Sequence, residues 1–143
     1  MEPPFARLTL PARVQSVRAF HEFVRGGAVT AGLESADMDK LDLVLEEILV
    51  NIARYAYRGG TGDVEVAYAA DGGALLVEIT DRGSDFNPLE ATLPDLTLGL
   101  AERPVGGLGI LLVKQIVGSL RYRREMGQNT VSFRFPGPPA TGT

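Results

Sequence analysis

Apolar residues recur along this 143-residue chain with two different periods, and each change of period marks the end of an element. Residues 5–10, Phe5-Ala6-Arg7-Leu8-Thr9-Leu10, alternate as a short strand does, and Pro11 closes it. Over residues 12–32 the spacing lengthens: Val14, Val17, Phe20 or His21, and Val24 recur every three or four positions, which predicts a helix. The pair Gly26-Gly27 predicts a break in its later part. A second helix is expected from Asp37 to Tyr57, capped by Ser35 or Asp37, with Leu41, Leu45, Ile48, Ile52 and Tyr55 as its apolar stripe. Gly59-Gly60-Thr61-Gly62 stops it.

Alternation then returns in Asp63–Ala69 and Ala74–Asp81, two strands flanking the hairpin signal Asp71-Gly72-Gly73. Periodicity lapses over residues 86–105, which are punctuated by Pro88, Pro94 and Pro104. A loop of this length in a small domain is a lid or binding loop, or else disordered, and a lid is expected over about 88–105. Gly106-Gly107-Leu108-Gly109-Ile110 follows, leading into a helix that ends near Val117. A last hairpin sets Leu120 and Tyr122 against Val131, Phe133 and Phe135, with its turn at Gly127-Gln128-Asn129. Residues 136–143 read as a disordered tail. With no repeat or linker, residues 1–135 form one domain. Strands and helices are segregated along the chain, so the fold class is α+β: a two-layer sandwich with one mixed, mostly antiparallel sheet and helices on one face.

Composition narrows the function. A hydrophobic fraction of 45% and a charged fraction of 22% describe a soluble globular chain. A net charge of −4 argues against nucleic acid as a partner, and the Arg121, Arg123, Arg124 cluster is local. Without cysteine there is no disulfide framework and no thiolate chemistry, which permits a reducing cytoplasm. Met1-Glu2-Pro3-Pro4 lacks the head of a signal peptide, and no apolar run suits a membrane span, so a cytoplasmic location is expected.

Three groups of residues carry candidate chemistry. At 100° per residue, Glu47 and Asn51 share one shoulder of the second helix, whereas Glu46 falls opposite, beside Asp42 and Val50. Asp81 shares a strand face with Leu75, Val77 and Ile79, where an acid is costly to bury unless it has partners. The glycines of 106–109 allow a backbone to pass close to a ligand, and the helix behind them offers free N–H groups suited to phosphate. The plainer reading of those glycines is a tight loop before a buried helix. Together the groups suit a magnesium nucleotide. Asn51 offers a hard amide oxygen to Mg²⁺, and Glu47 could take a proton from a hydroxyl or water. Asp81 could accept a hydrogen bond from an exocyclic amino group, with Gly83 letting the base approach the backbone.

The spacing Glu47-x-x-x-Asn51, then Asp81-x-Gly83-x-x-Phe86-Asn87-Pro88, then Arg103-Pro104-Val105-Gly106-Gly107-Leu108-Gly109-Ile110 resembles the GHKL ATPase superfamily, with its Bergerat-type ATPase fold. More narrowly, it is similar to the bacterial anti-sigma factor serine/threonine kinases, over roughly residues 5–135. The resemblance implies that Asn51 binds Mg²⁺, that Glu47 is the catalytic base and that Asp81 recognises adenine. It also implies that Gly83 flanks the base, that Gly106, Gly107, Leu108 and Gly109 form the box that meets the phosphates of ATP, and that Thr130 supports the adenine-binding aspartate. It further implies phosphorylation of a STAS-type antagonist protein, sequestration of a sigma factor, and a homodimer. Where family members often carry His-Ala-Tyr or His-Gly-Tyr, this chain has Tyr55-Ala56-Tyr57, so Tyr55 would have to replace that histidine by hydrogen bonding. The second half of the Asp-Gly box is Ser84-Asp85.

Other chemistries find no motif. No glycine run ends in Gly-Lys-Ser/Thr, and Gly107-x-Gly109 lacks the third glycine of a dinucleotide fingerprint. His21, the single histidine, is followed by Glu22-Phe23-Val24-Arg25 without the Thr-Pro of a phosphoacceptor segment. Lys114, one turn into the last helix, is either a phosphate contact or a solvated lysine. The expectation is therefore an ATP- and Mg²⁺-dependent protein kinase and anti-sigma factor. A non-catalytic module that binds ATP to present a surface to its partner is the alternative.

Overall fold

The computed structural model describes residues 5–90 and 107–137. Strand β1 (Ala6–Pro11) leads through a 3-10 turn, Val14–Ser16, into helix α1 (Val17–Ala31) and helix α2 (Ser35–Tyr55). The hairpin β2 (Asp63–Asp71) and β3 (Ala74–Asp81) follows, then helix α3 (Gly107–Ile116) and the hairpin β4 (Arg121–Glu125) and β5 (Gln128–Phe135). The strands form one sheet in the order β1-β2-β3-β5-β4. Every neighbouring pair is antiparallel, so the sheet that the pattern left as mixed or mostly antiparallel is wholly antiparallel among the described strands.

Alternation decides which side chains face the helices. Val64 and Val66 of β2, Leu75, Val77 and Ile79 of β3, and Val131, Phe133 and Phe135 of β5 are buried in one core. They share it with Phe20, Val24 and Ala28 of α1, with Leu41, Leu45, Ile48 and Ile52 of α2, and with Val113 of α3. Removing this apolar surface from water is the main term favouring the fold. No helix among the described residues is long and apolar enough to cross a membrane.

Four local expectations are corrected. Helix α1 runs through Gly26-Gly27 without a break. A Cβ on Gly27 would collide with the Tyr68 ring, so the missing side chain lets the helix lie close on β2 rather than interrupting it. Helix α2 starts after Glu34, with no side-chain cap; Ser35 and Asp37 lie inside the first turn, beyond the capping position. The same helix ends at Tyr55, which is 40% exposed rather than part of the buried stripe; past the core, Ala56 takes the inward position. Finally, β4 and β5 are joined by Met126 and Gly127, whose φ angles are 52° and 74°, and Glu125 pairs with Gln128. Two positive-φ residues make a hairpin turn matched to strand twist. Gln128 and Asn129, expected in the turn, belong to the strand.

Candidate functional site

The pairing of β5 with β3 sets the register that builds the site. Asp81 at the end of β3 lies opposite Asn129 of β5, and Thr80 lies opposite Thr130. With a period of two, Asn129 shares the helix-facing side with Asp81, and Thr130 faces the other way. Thr130 therefore does not support Asp81; its hydroxyl lies 3.2 Å from that of Thr80. The support comes from Asn129, which sequence reasoning missed. Its Nδ2 donates to Asp81 Oδ1 at 2.9 Å. Counting back by two from Val131, Phe133 and Phe135 would have put Asn129 on the core face, but not opposite Asp81.

Asp81 is 1% exposed. Its Oδ1 also accepts the Gly83 N–H at 2.9 Å, whereas its Oδ2 is buried without a hydrogen-bond partner among the described residues. Burial pushes the carboxyl above the usual range, opposed by the hydrogen bonds from Asn129 and Gly83 and by the Arg124 charge. A buried acceptor lacking a donor is costly, and a ligand N–H would satisfy it. An exocyclic amino group fits this atom.

Gly83 is explained by the protein itself. A Cβ there would collide with the Ala56 carbonyl, at the end of α2. That carbonyl accepts the Ser84 N–H at 2.8 Å and the Ser84 hydroxyl at 3.0 Å. The Tyr57 hydroxyl accepts the Arg82 N–H at 2.9 Å and donates to the Asp63 carbonyl. Tyr55, expected to act by hydrogen bonding, instead packs on Phe86 with ring centroids 5.8 Å apart. The run Tyr55-Ala56-Tyr57 thus fastens the loop after β3 to the end of α2.

One helical turn separates Glu47 from Asn51, and both sit where the helical count places them: Glu47 half-buried, Asn51 buried and Glu46 exposed. Asn51 Nδ2 donates to the Pro88 carbonyl at 3.2 Å and so ties down the segment after Asp81. The side chain of Glu47 lies against the first turn of α3, where a Cβ on Gly109 would collide with its carboxylate. Glycine at 109 is what lets the carboxylate and the helix meet. Desolvation, then repulsion from Glu46, raises the Glu47 carboxyl above its ordinary value, with Arg54 opposing. Gly107 and Leu108 open α3. Gly106 and the lid beyond Glu90 fall outside the described residues.

Among the described residues no three His, Cys, Asp or Glu side chains form a metal-holding group. A hard cation here would take the Asn51 amide oxygen, with ligand phosphates and water completing its shell, which is the pattern of Mg²⁺ rather than of a protein cage. Lys114 is exposed and, with Asn87, Leu89, Glu90 and Tyr122, lines a groove of about 370 Å³. His21 lies apart on α1, and its Nε2 is buried without a partner among the described residues.

Residues 10–135 match the family described as the histidine kinase-like ATPase domain. The chain is similar to a serine-protein kinase RsbW of Bacillus cereus, with 20% identity over 132 residues, covering 90% of this chain and 82% of that protein. Serine-protein kinases RsbW of Bacillus anthracis and Bacillus thuringiensis are similar to the same degree. Among solved structures, the RsbU and RsbW domains of a Mycobacterium tuberculosis protein share the fold, with a TM-score of 0.61 at 18% identity over 95% of this chain. The match spans 34% of that longer chain.

Proposed function

This chain belongs to the histidine kinase-like ATPase domain family, the GHKL superfamily, and on that premise we propose that it is an ATP- and Mg²⁺-dependent protein serine/threonine kinase and anti-sigma factor. Its substrate is a serine or threonine of a STAS-type antagonist; its other partner is a sigma factor, which it sequesters as a homodimer in the cytoplasm. The observation that carries this reading is the half-buried Glu47 carboxylate seated against the first turn of α3. That placement sets a base where a helix N-terminus favours phosphate.

Asp81 Oδ2 accepts the exocyclic amino group of adenine, and the α3 amides from Gly107 to Gly109 meet phosphate oxygens. Asn51 gives its amide oxygen to Mg²⁺ while its nitrogen holds Pro88. Bound with ATP, the metal supplies charge neutralisation on the phosphates. Glu47, whose raised basicity suits proton acceptance, orients or deprotonates the incoming hydroxyl.

ATP labelled at its γ-phosphate, incubated with the STAS-type proteins of the same genome, tests the reading. Label should appear on one of them, and Glu47→Ala should reduce transfer by about 10²–10⁴-fold with nucleotide binding kept. Asn51→Ala should lose the magnesium-dependent part of binding. Full transfer by Glu47→Ala would remove Glu47 from its role. Tight nucleotide binding with no label on any candidate would assign the chain to the non-catalytic alternative.

A further inference from the structure

Three polar side chains, Tyr122, Arg124 and Asn129, meet the loop after β3 beside Asp81, and their donor–acceptor chemistry admits a single arrangement. Arg124 Nη1 lies 2.9 Å from Asn129 Oδ1, and a guanidinium only donates, so the amide oxygen of Asn129 faces it. The Tyr122 hydroxyl donates to the same oxygen at 2.7 Å. On the other side the amide nitrogen lies 2.7 Å from the Ser84 carbonyl, which only accepts, and 2.9 Å from Asp81 Oδ1. Arg124 and Ser84 therefore fix the same orientation independently. The amide accepts twice and donates twice, which uses its whole capacity. Arg124 Nη1 also holds the Gly83 carbonyl at 3.1 Å, so one guanidinium braces both the amide and the loop.

The consequence falls on Asp81. Its Oδ1 receives two donors, Asn129 Nδ2 and the Gly83 N–H, while Oδ2 receives none from the described residues. A carboxyl so held cannot exchange its oxygens by rotation without breaking two bonds, and it presents Oδ2 as an acceptor. If the carboxyl were released, it could turn or take up a proton. A protonated oxygen would offer a donor, which suits a 6-oxo purine better than a 6-amino one.

We propose that Asn129, clamped by Tyr122 and Arg124, is the positioning residue that sets purine specificity by fixing Asp81 so that Oδ2 accepts from a 6-amino group. The inference rests on the reading of Asp81 as the adenine contact and adds how this chain enforces it. Of the interactions that pull the Asp81 carboxyl back from the effect of burial, the Asn129 hydrogen bond is the largest. Asn129 is itself 1% exposed and acts through Asp81.

The test is calorimetric titration of the full chain, in magnesium buffer, with ATP and with purine riboside triphosphate, which carries hydrogen in place of the 6-amino group. The wild-type chain should prefer ATP by about tenfold or more, as expected for a hydrogen bond to a charged group. Asn129→Ala should weaken ATP by a similar factor and leave the analogue unchanged, so that the preference collapses. A parallel loss for both ligands, or an intact preference, would overturn the proposal. Arg124→Met removes an exposed side chain and serves where Asn129→Ala fails to fold; it should narrow the preference about threefold. An unchanged preference in Arg124→Met would also count against the clamp. Absence of any preference in the wild-type chain would instead remove the adenine contact itself, a different result from failure of the clamp.

Discussion

Asp81 and Glu47 carry the same electrostatic burden for the same reason: burial raises both carboxyls above their ordinary values of 3.8 and 4.5. An acid whose folded pKa is raised favours the folded state while it is protonated. That contribution is fully present below the unfolded value and is lost as pH rises through the folded value. At neutral pH the ligand-free chain is therefore less stable than it would be with neutral groups at these positions. Asp81→Asn should be more stable than the wild-type chain at pH 8, and the difference should shrink as pH falls toward about 4. Paired urea unfolding at pH 8, 6 and 4.5 checks this. A variant less stable than wild type at pH 8 would mean that the Asn129 and Gly83 hydrogen bonds outweigh burial. Such a cost at a proposed binding position is the usual relation between stability and function.

At the scale of elements, three of the glycines mark places where segments distant in sequence come close. Gly27 admits the Tyr68 ring beside α1, Gly83 admits the Ala56 carbonyl, and Gly109 admits the Glu47 carboxylate. Gly26, one residue from Gly27, sits on the exposed side of the same helix, where an added Cβ would meet nothing within 4 Å. The two neighbours should therefore respond in opposite directions. Gly26→Ala should stabilise the fold by roughly 0.5–1 kcal/mol, the helix-propensity gain. Gly27→Ala should cost about 1–3 kcal/mol, because the Tyr68 ring, already packed on Phe23, must move. Thermal unfolding of both variants separates a helix held together by propensity from one held by its contact with the sheet. Equal effects of the two substitutions would remove the close-approach explanation of Gly27.

For the whole molecule, the site is assembled at one end of the sheet by elements distant in sequence. The chain leaves β3 at Asp81, returns through α3 and the edge strand β4, and only then lays β5 between β4 and β3. Asp81 thereby meets Asn129 from 48 positions away, and α3 meets Glu47 of α2. A ligand that spans Asp81, Asn51 and α3 would link the sheet to two helices and stabilise all of them together. Magnesium with ATP at about a hundred times its dissociation constant should add roughly 2.7 kcal/mol, visible as a melting shift of roughly 10 °C for a domain of this size. No shift would mean that the chain binds no nucleotide. Magnesium-independent stabilisation would take Asn51 out of the metal's shell.

The order of elements, the extent of β3, the opposite exposures of Glu46 and Glu47 and the three boxes were legible in the sequence alone. All depend on periodicity or on residues near one another along the chain, and such local signals do not require knowing what lies across the sheet. Tertiary structure alone decided which residue supports Asp81. Asn129 meets Asp81 through the register of β5 on β3, two strands that no hairpin joins, and a slip of one residue there would set a side chain of the other face beside it. It also decided that Gly27 is a contact rather than a break, that Gly83 accommodates Ala56, and that Tyr55 packs at a tilt against Phe86. A missing side chain has the same symbol whether it permits a turn or a close approach. Only the neighbour brought there by the fold, through strand register and helix packing, distinguishes the two.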